Sequence, residues 1–159
     1  MKLYLVRHAS AERQAPDGGP DSERRLTFHG RKEADRVGEA LRDQGAAIVR
    51  VLASPARRAQ ETARILCEAL GSPPPMEIEP SLAPGAPPAA FLDLLSSHGS
   101  DAGLAIVGHN PDLSILCAGL LPGPGGGTIH FMPASIWCLE FTPAEKPPSA
   151  RLLWMWHPE

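Results

Sequence analysis

The strongest constraint on the fold is an alternation of two hydrophobic periods along the chain. Short β-prone apolar runs at 2–6, 48–53 and 104–107 each give way to a stretch whose apolar residues recur with helical spacing. The first run ends at Arg7-His8, and a polar loop leads to Thr27, a good N-cap. The helix predicted over 27–43 carries Ala34, Val37, Gly38 and Leu41 on one face, with Gly45 past its end. After the second run, Ser54-Pro55 reads as an N-cap with proline at the first helical position, opening a helix to about Leu70. Its core stripe is Ala59, Ala63, Leu66 and Leu70. Prolines 73–75 force a stop, 76–78 reads as a short edge strand, and a further helix is expected at 89–97. The run 104–107 leads into Gly108-His109 and then Asn110-Pro111, a second cap-and-proline signal, for a helix to about Leu121. A flexible loop at 122–127 and strands at 135–141 and 151–156 complete the pattern. The order β-α-β-α-β-α-β-α-β-β predicts an α/β fold, with a mostly parallel central sheet covered by helices on both faces.

Composition narrows the class. At 159 residues the chain reads as a single domain over 1–159, large enough to fold without a disulfide or metal staple. A net charge of −3 argues against a nucleic-acid or anionic-membrane partner. No stretch approaches the ~20 apolar residues of a membrane span, and the N-terminal apolar run is too short for a signal peptide. Cys67, Cys117 and Cys138 sit in apolar runs without metal-site spacing and read as buried thiols of a reducing compartment. The expectation is a cytoplasmic monomer. The 18 prolines and 15 glycines fall between the periodic segments, so they read as stiff loops.

Parallel sheets bind ligands outside the carboxyl ends of their strands, which makes the strand-to-helix junctions the place for a site. They read Arg7-His8, Ser54-Pro55-Ala56-Arg57-Arg58 and Gly108-His109-Asn110-Pro111. Each puts a guanidinium or an imidazole at a strand end, and two open a helix N-terminus, which favours anions. Taken singly, each has a bland reading: surface decoration, a satisfied structural histidine, a solvated arginine pair. Three such junctions on one sheet edge, with almost nothing to balance their charge, call for a dianion such as phosphate. At about 100° per residue, Arg57 falls about 150° from the centre of the apolar stripe and Arg58 about 110°. Arg58 therefore flanks the buried face, and Arg57 faces solvent.

Four segments carry a resemblance: Leu5-Val6-Arg7-His8-Ala9, 24–30 with Leu26-Thr27 and Gly30, 54–63 from Ser54-Pro55 onward, and Val107-Gly108-His109-Asn110-Pro111. In order and spacing, over nearly the whole chain, they resemble the histidine phosphatase (phosphoglycerate mutase-like) superfamily. The short length and the Leu-Thr-x-x-Gly and Gly-His-Asn-Pro segments are most similar to the SixA-type phosphohistidine phosphatases. The resemblance implies a three-layer α/β/α sandwich, with His8 as nucleophile and Arg7, Arg58 and His109 holding the phosphoryl oxygens. It implies no metal and no organic cofactor, and a phosphohistidine-bearing protein of phosphorelay or phosphotransfer type as partner. Ala9 stands where the superfamily usually has glycine, a small-for-small exchange. The rival readings are a broad-specificity phosphomonoesterase on small metabolites and a non-catalytic phosphate-binding module.

Other branches of the superfamily carry an acidic proton donor after the second histidine or in the loop after the third strand. Here Asn110 and Pro111 follow His109, and the loop 80–87 has no carboxylate. Glu12, Glu77 and Glu79 are the candidates for a displaced donor. Without one, a leaving group must depart on its own, and imidazole, with a reference pKa of about 6.5, does so more easily than an alkoxide. His130 is a further histidine that could border the site, and Trp137, Trp154 and Trp156 are expected in the core.

Overall fold

The computed structural model describes residues 1–99, 102–121, 123 and 129–159. Along the chain run β1 (Lys2–Arg7), α1 (Phe28–Asp43), β2 (Arg50–Ala53), α2 (Arg57–Ala69) and β3 (Met76–Ile78). They are followed by α3 (Pro88–Ser97), β4 (Gly103–Gly108), α4 (Asp112–Leu120), β5 (Ile136–Thr142) and β6 (Ser149–Trp156). Short 3₁₀ turns lie at Pro16–Gly18, Asp21–Glu23 and Pro80–Leu82. The loop expected at 122–127 lies, apart from residue 123, outside the described residues.

The strands form one six-stranded sheet in the order β3-β2-β4-β1-β5-β6. Pairings from β3 through β1 are parallel, and the two that add β5 and β6 are antiparallel. The sheet is mostly parallel, with β3 at one edge as its length and polarity suggest. Strand side chains alternate between two cores. Tyr4, Val6, Val51, Ala53, Ala105 and Val107 pack with α1 and α2, while Leu3, Leu5, Leu52, Leu104 and Ile106 pack with α3 and α4. Helices thus cover both faces, the three-layer sandwich.

Two glycines set how closely the elements approach. Thr27 caps α1, its hydroxyl accepting from the Gly30 amide at 2.9 Å. A Cβ on Gly30 would lie 2.0 Å from the Ser10 carbonyl oxygen, so the start of α1 is pressed against the chain leaving β1. A Cβ on Gly38 would lie 2.5 Å from both the Leu66 carbonyl oxygen and the Ala69 side chain, so α1 and α2 meet backbone to backbone.

Both cap-and-proline signals need correction. The chain coils only at Arg57 and at Asp112, and neither helix has a side-chain cap. Ser54 lies too far from α2 to serve its first turn and accepts instead from the Ala56 amide. The Asn110 side chain caps no amide of α4: its amide donates to the Phe131 carbonyl at 3.2 Å, and its Oδ1 accepts from the Ser114 hydroxyl of α4 at 3.2 Å. The tryptophans are half-buried rather than core: Trp154 packs on Tyr4, and Trp137 stacks on Phe131 at 4.7 Å between centroids. Burial pushes the Cys67 and Cys138 thiols up to about 11 and Cys117 to about 12, as inert core thiols require. Among the described residues no helix is long and apolar enough to cross a membrane.

The close α1–α2 contact gives a paired test. Gly38→Ala should destabilise by about 1–3 kcal/mol through overpacking. Gly119→Ala, in α4 with nothing near its added methyl, should stabilise by about 0.5–1 kcal/mol. Urea titration of both variants measures the difference in sign; equal effects would refute the packing account.

Candidate active site

Register brings the junctions together. Arg7 of β1 pairs with Gly108 of β4, and Ala53 of β2 with Val107 of β4, so the three parallel strands end level. The His8 amide donates to the Gly108 carbonyl and the Ser54 amide to the Val107 carbonyl, at 3.0 Å each. His8, Ser54 and His109 therefore leave the same edge side by side.

The His8 ring stands 5.1 Å from the His109 ring, centroid to centroid. Its Nδ1 lies 2.8 Å from the Ala9 carbonyl oxygen, which can only accept, so Nδ1 carries the proton and Nε2 the free lone pair. Arg58 points its Nε at that Nε2 from 3.4 Å and is buried, while Arg57 is half-exposed and ion-paired with the buried Glu61 and with Glu23. The helical-face expectation is met for Arg58; Arg57 points away from His8 but is held by two carboxylates instead of facing open solvent. Arg7 donates through Nη1 to the Phe131 carbonyl at 2.6 Å. His109 is buried, with Nε2 2.7 Å from the Ser54 hydroxyl. Arg7 Nε and His109 Nδ1 are buried and have no hydrogen-bond partner among the described residues.

The electrostatics are those of a crowded cationic site. Burial first, then the charges of Arg58, Arg7 and Arg24, bring the His8 imidazole down to about 4, against the Ala9 hydrogen bond that favours its charged form. Burial and the neighbouring His8 and Arg58 bring His109 down to about 3. Both rings are neutral near pH 7. Burial and the nearby Arg58 also push the Arg7 guanidinium below its ordinary value.

One expectation is corrected here: the charge is partly balanced. Asp21, on the loop between β1 and α1, reaches Arg58 Nη1 at 3.1 Å and Arg24 Nη1 at 3.0 Å, and its own carbonyl also accepts from Arg58. The hydrogen bond from Arg24 leads the effects that hold the Asp21 carboxyl below its usual range, so it is ionised. Asp21 lies 13 residues beyond His8 with no periodic signal, and only the fold brings it back over α2.

The backbone that carries His8 is held by buried polar side chains that sequence reasoning missed. Thr62 accepts from the Ala9 amide at 3.0 Å and donates to the Arg58 carbonyl at 2.8 Å, tying the His8 loop to α2. Glu33 of α1 accepts from the Ser10 amide at 2.8 Å, and Glu61 of α2 from the Leu26 amide at 2.9 Å. All three are buried. Thr62 flanks the apolar stripe of α2, the one signal the sequence offered, whereas Glu61 falls opposite that stripe and is buried only by the chain that packs over it.

The acids considered from sequence stand as follows. Glu77 pairs with Arg50 at the sheet edge. Glu79 accepts from the Ser81 amide and hydroxyl, which hold its carboxyl below the usual range. Glu12 is exposed, and its carbonyl accepts from Arg24 at 2.6 Å. His130 is exposed, and its neighbour Phe131 is the residue that meets the site, through its carbonyl. Beside His109 opens an apolar cleft of about 320 Å³, lined in part by Leu82, Phe91, Pro111, Leu113 and Leu116. Among the described residues no three His, Cys, Asp or Glu side chains group as a metal site.

Comparison with known proteins agrees with this geometry. Residues 3–83 match the family model of the histidine phosphatase superfamily, branch 1. An uncharacterized protein of Picosynechococcus is 35% identical over 86% of this chain and 82% of its own length. Phosphohistidine phosphatase SixA of Escherichia coli is 33% identical over 77% of this chain and 76% of its own. The solved structure of the protein histidine phosphatase SixA complexed with tungstate superposes with a TM-score of 0.86 at 26% identity, covering 99% of this chain and 97% of that one. Sequence, fold and the convergence of arginines and histidines at one sheet edge agree: the chain belongs to the histidine phosphatase superfamily and is a phosphatase of that family.

Proposed function

We propose that the protein hydrolyses phosphohistidine on a partner protein of phosphorelay or phosphotransfer type, through a covalent phospho-His8 intermediate and without metal or organic cofactor. The observation that carries this reading is the orientation of His8, whose Nδ1 proton is committed to Ala9 and whose Nε2 lone pair faces Arg58. Nε2 attacks phosphorus, and the bond from phosphorus to the substrate's ring nitrogen breaks. The departing imidazole takes up a proton from solvent, which the water of the second step later returns. Water then cleaves the His8–phosphorus bond, returning neutral His8 and inorganic phosphate. Arg7, Arg58 and His109 hold the phosphoryl oxygens, supplying the positioning and charge stabilisation that dominate phosphoryl transfer. Two buried donors without a partner among the described residues, Arg7 Nε and His109 Nδ1, suit a ligand with several acceptor oxygens. SixA, solved with the tetrahedral oxyanion tungstate, is consistent with such a ligand.

The leaving group argues for the substrate. Asp21 is held ionised between two arginines, Glu79 is committed to Ser81 and Glu77 to Arg50. None of these three is a proton donor for an alkoxide, whereas general-acid help is worth ~10²–10⁴-fold. The apolar cleft beside His109 also offers a sugar phosphate few polar partners and suits the flank of a protein.

A labelled phosphodonor followed by a rapid quench should yield an acid-labile, alkali-stable adduct on His8. His8→Ala should lose that adduct and several orders of magnitude in kcat. Activity should persist in EDTA, and an active His8→Ala protein would sink the intermediate. Arg58→Ala should lower kcat/KM by about 10²–10³-fold, as removal of a group stabilising transition-state charge does, while Arg57→Ala changes it only a few-fold. Across leaving groups, phosphohistidine should turn over fastest, aryl phosphates more slowly and alkyl phosphates slowest. Serine or sugar phosphates matching aryl esters would reveal a hidden acid, with Glu12 first to be mutated.

A further inference from the structure

Ser54 has the local signature of a helix cap and does not cap α2. Its side chain is fully buried, and its position follows from the sheet: its amide closes onto Val107 of β4, one strand over, next to Gly108 and His109. Its hydroxyl oxygen has two contacts, the Ala56 amide at 3.2 Å and His109 Nε2 at 2.7 Å.

The donor count decides what the second contact is. A serine hydroxyl has one hydrogen to give and two lone pairs. The Ala56 N–H takes one lone pair, and no acceptor for the hydroxyl hydrogen other than His109 Nε2 is found among the described residues. If Nε2 carried the proton, the serine oxygen would accept twice and its own hydrogen would be buried unpaired, an arrangement native interiors avoid. The satisfied arrangement has Ser54 donating to a bare Nε2. The His109 proton then resides on Nδ1, the one polar atom of that ring without a partner among the described residues.

That placement matters because phosphoryl oxygens only accept. A neutral imidazole serves such a ligand only through whichever nitrogen bears the hydrogen, and Nε2 is already engaged. We infer that Ser54 is a positioning residue of the phosphatase, its buried hydroxyl donating to His109 Nε2 and so holding the ring in the tautomer whose Nδ1–H is offered to a phosphoryl oxygen. This rests on the reading of His109 as a phosphoryl-binding group. Ser54 itself touches no substrate and acts through His109.

The tautomer is measurable in the resting protein, apart from turnover. With ¹⁵N-histidine labelling, and His109→Gln to assign the resonances, the wild-type ring should show a protonated Nδ1 and a bare Nε2. Ser54→Ala should move His109 toward the Nε2–H form and weaken inorganic phosphate binding. It should lower kcat/KM by about 10–100-fold, the range that losing an outer partner of a functional histidine costs at metal sites. Ser54→Thr, which restores the hydroxyl, should restore the tautomer. A wild-type ring protonated at Nε2 overturns the inference, whether or not Ser54→Ala folds. So does a folded Ser54→Ala protein whose His109 keeps its Nδ1 proton. Tautomers that behave as expected in a protein lacking phosphohistidine phosphatase activity overturn the functional reading alone.

Discussion

The rest of the site depends on the packing of positive charge at the carboxyl ends of three parallel strands. Guanidinium groups are fixed cations, and burial together with their charge holds the two imidazoles beside them neutral. Burial contributes most to that shift and the guanidinium charges add to it, leaving His8 near 4 and His109 near 3. Fixed charge and a free lone pair therefore coexist within one small volume: the arginines carry the charge, and the histidines carry nitrogen chemistry without adding to it. A single ionised carboxylate, Asp21, offsets the arginines from the rim, where it is exposed to water.

Such a cluster repels itself, so its geometry has to be imposed from behind. The buried acids Glu33 and Glu61 accept from backbone amides of the chain flanking the site, at Ser10 and Leu26, while Thr62 bridges Ala9 to Arg58. Hydrogen bonds from backbone to carboxylate are charge-assisted and directional, so they hold the loop rather than merely neutralise it. Gly30 adds a steric stop, since no side chain fits between α1 and the Ser10 carbonyl. The loop bearing His8 is thus fixed by both helices of one layer.

Much of this was legible in the sequence because it rests on local periodicity. The order of elements, the Thr27 cap, the inward turn of Arg58 and the meeting of Arg7, His8, Arg58 and His109 all follow from residues close in the chain, or from the rule that parallel strands end together. What escaped depends on contacts between distant segments. Ser54-Pro55 and Asn110-Pro111 have the local signature of a helix cap, yet His109 and Phe131 compete for those side chains and win, because both lie at the sheet edge. Asp21 reaches Arg58 across 37 positions. Glu33 and Glu61 look like ordinary helix-surface charges until the loop folds over them.

The depressed basicity of the two histidines bears on what the site cannot do. Imidazole donates a proton efficiently when its pKa lies near the working pH, and a ring at about 3 is a hydrogen-bond donor but a poor Brønsted acid. In the reaction proposed above, His109 therefore serves to stabilise charge on a phosphoryl oxygen and not to deliver a proton to a leaving group. Asp21, the acid closest to hand, is held ionised by Arg24 and Arg58, so it is no better placed to deliver one. Raising the His109 pKa would take opening the buried ring to water as well as thinning the arginines, since burial is the larger cause. Neither the buried imidazole nor the ion-paired Asp21 supplies general-acid help, which is why the proposed substrate is one whose leaving group departs with little assistance.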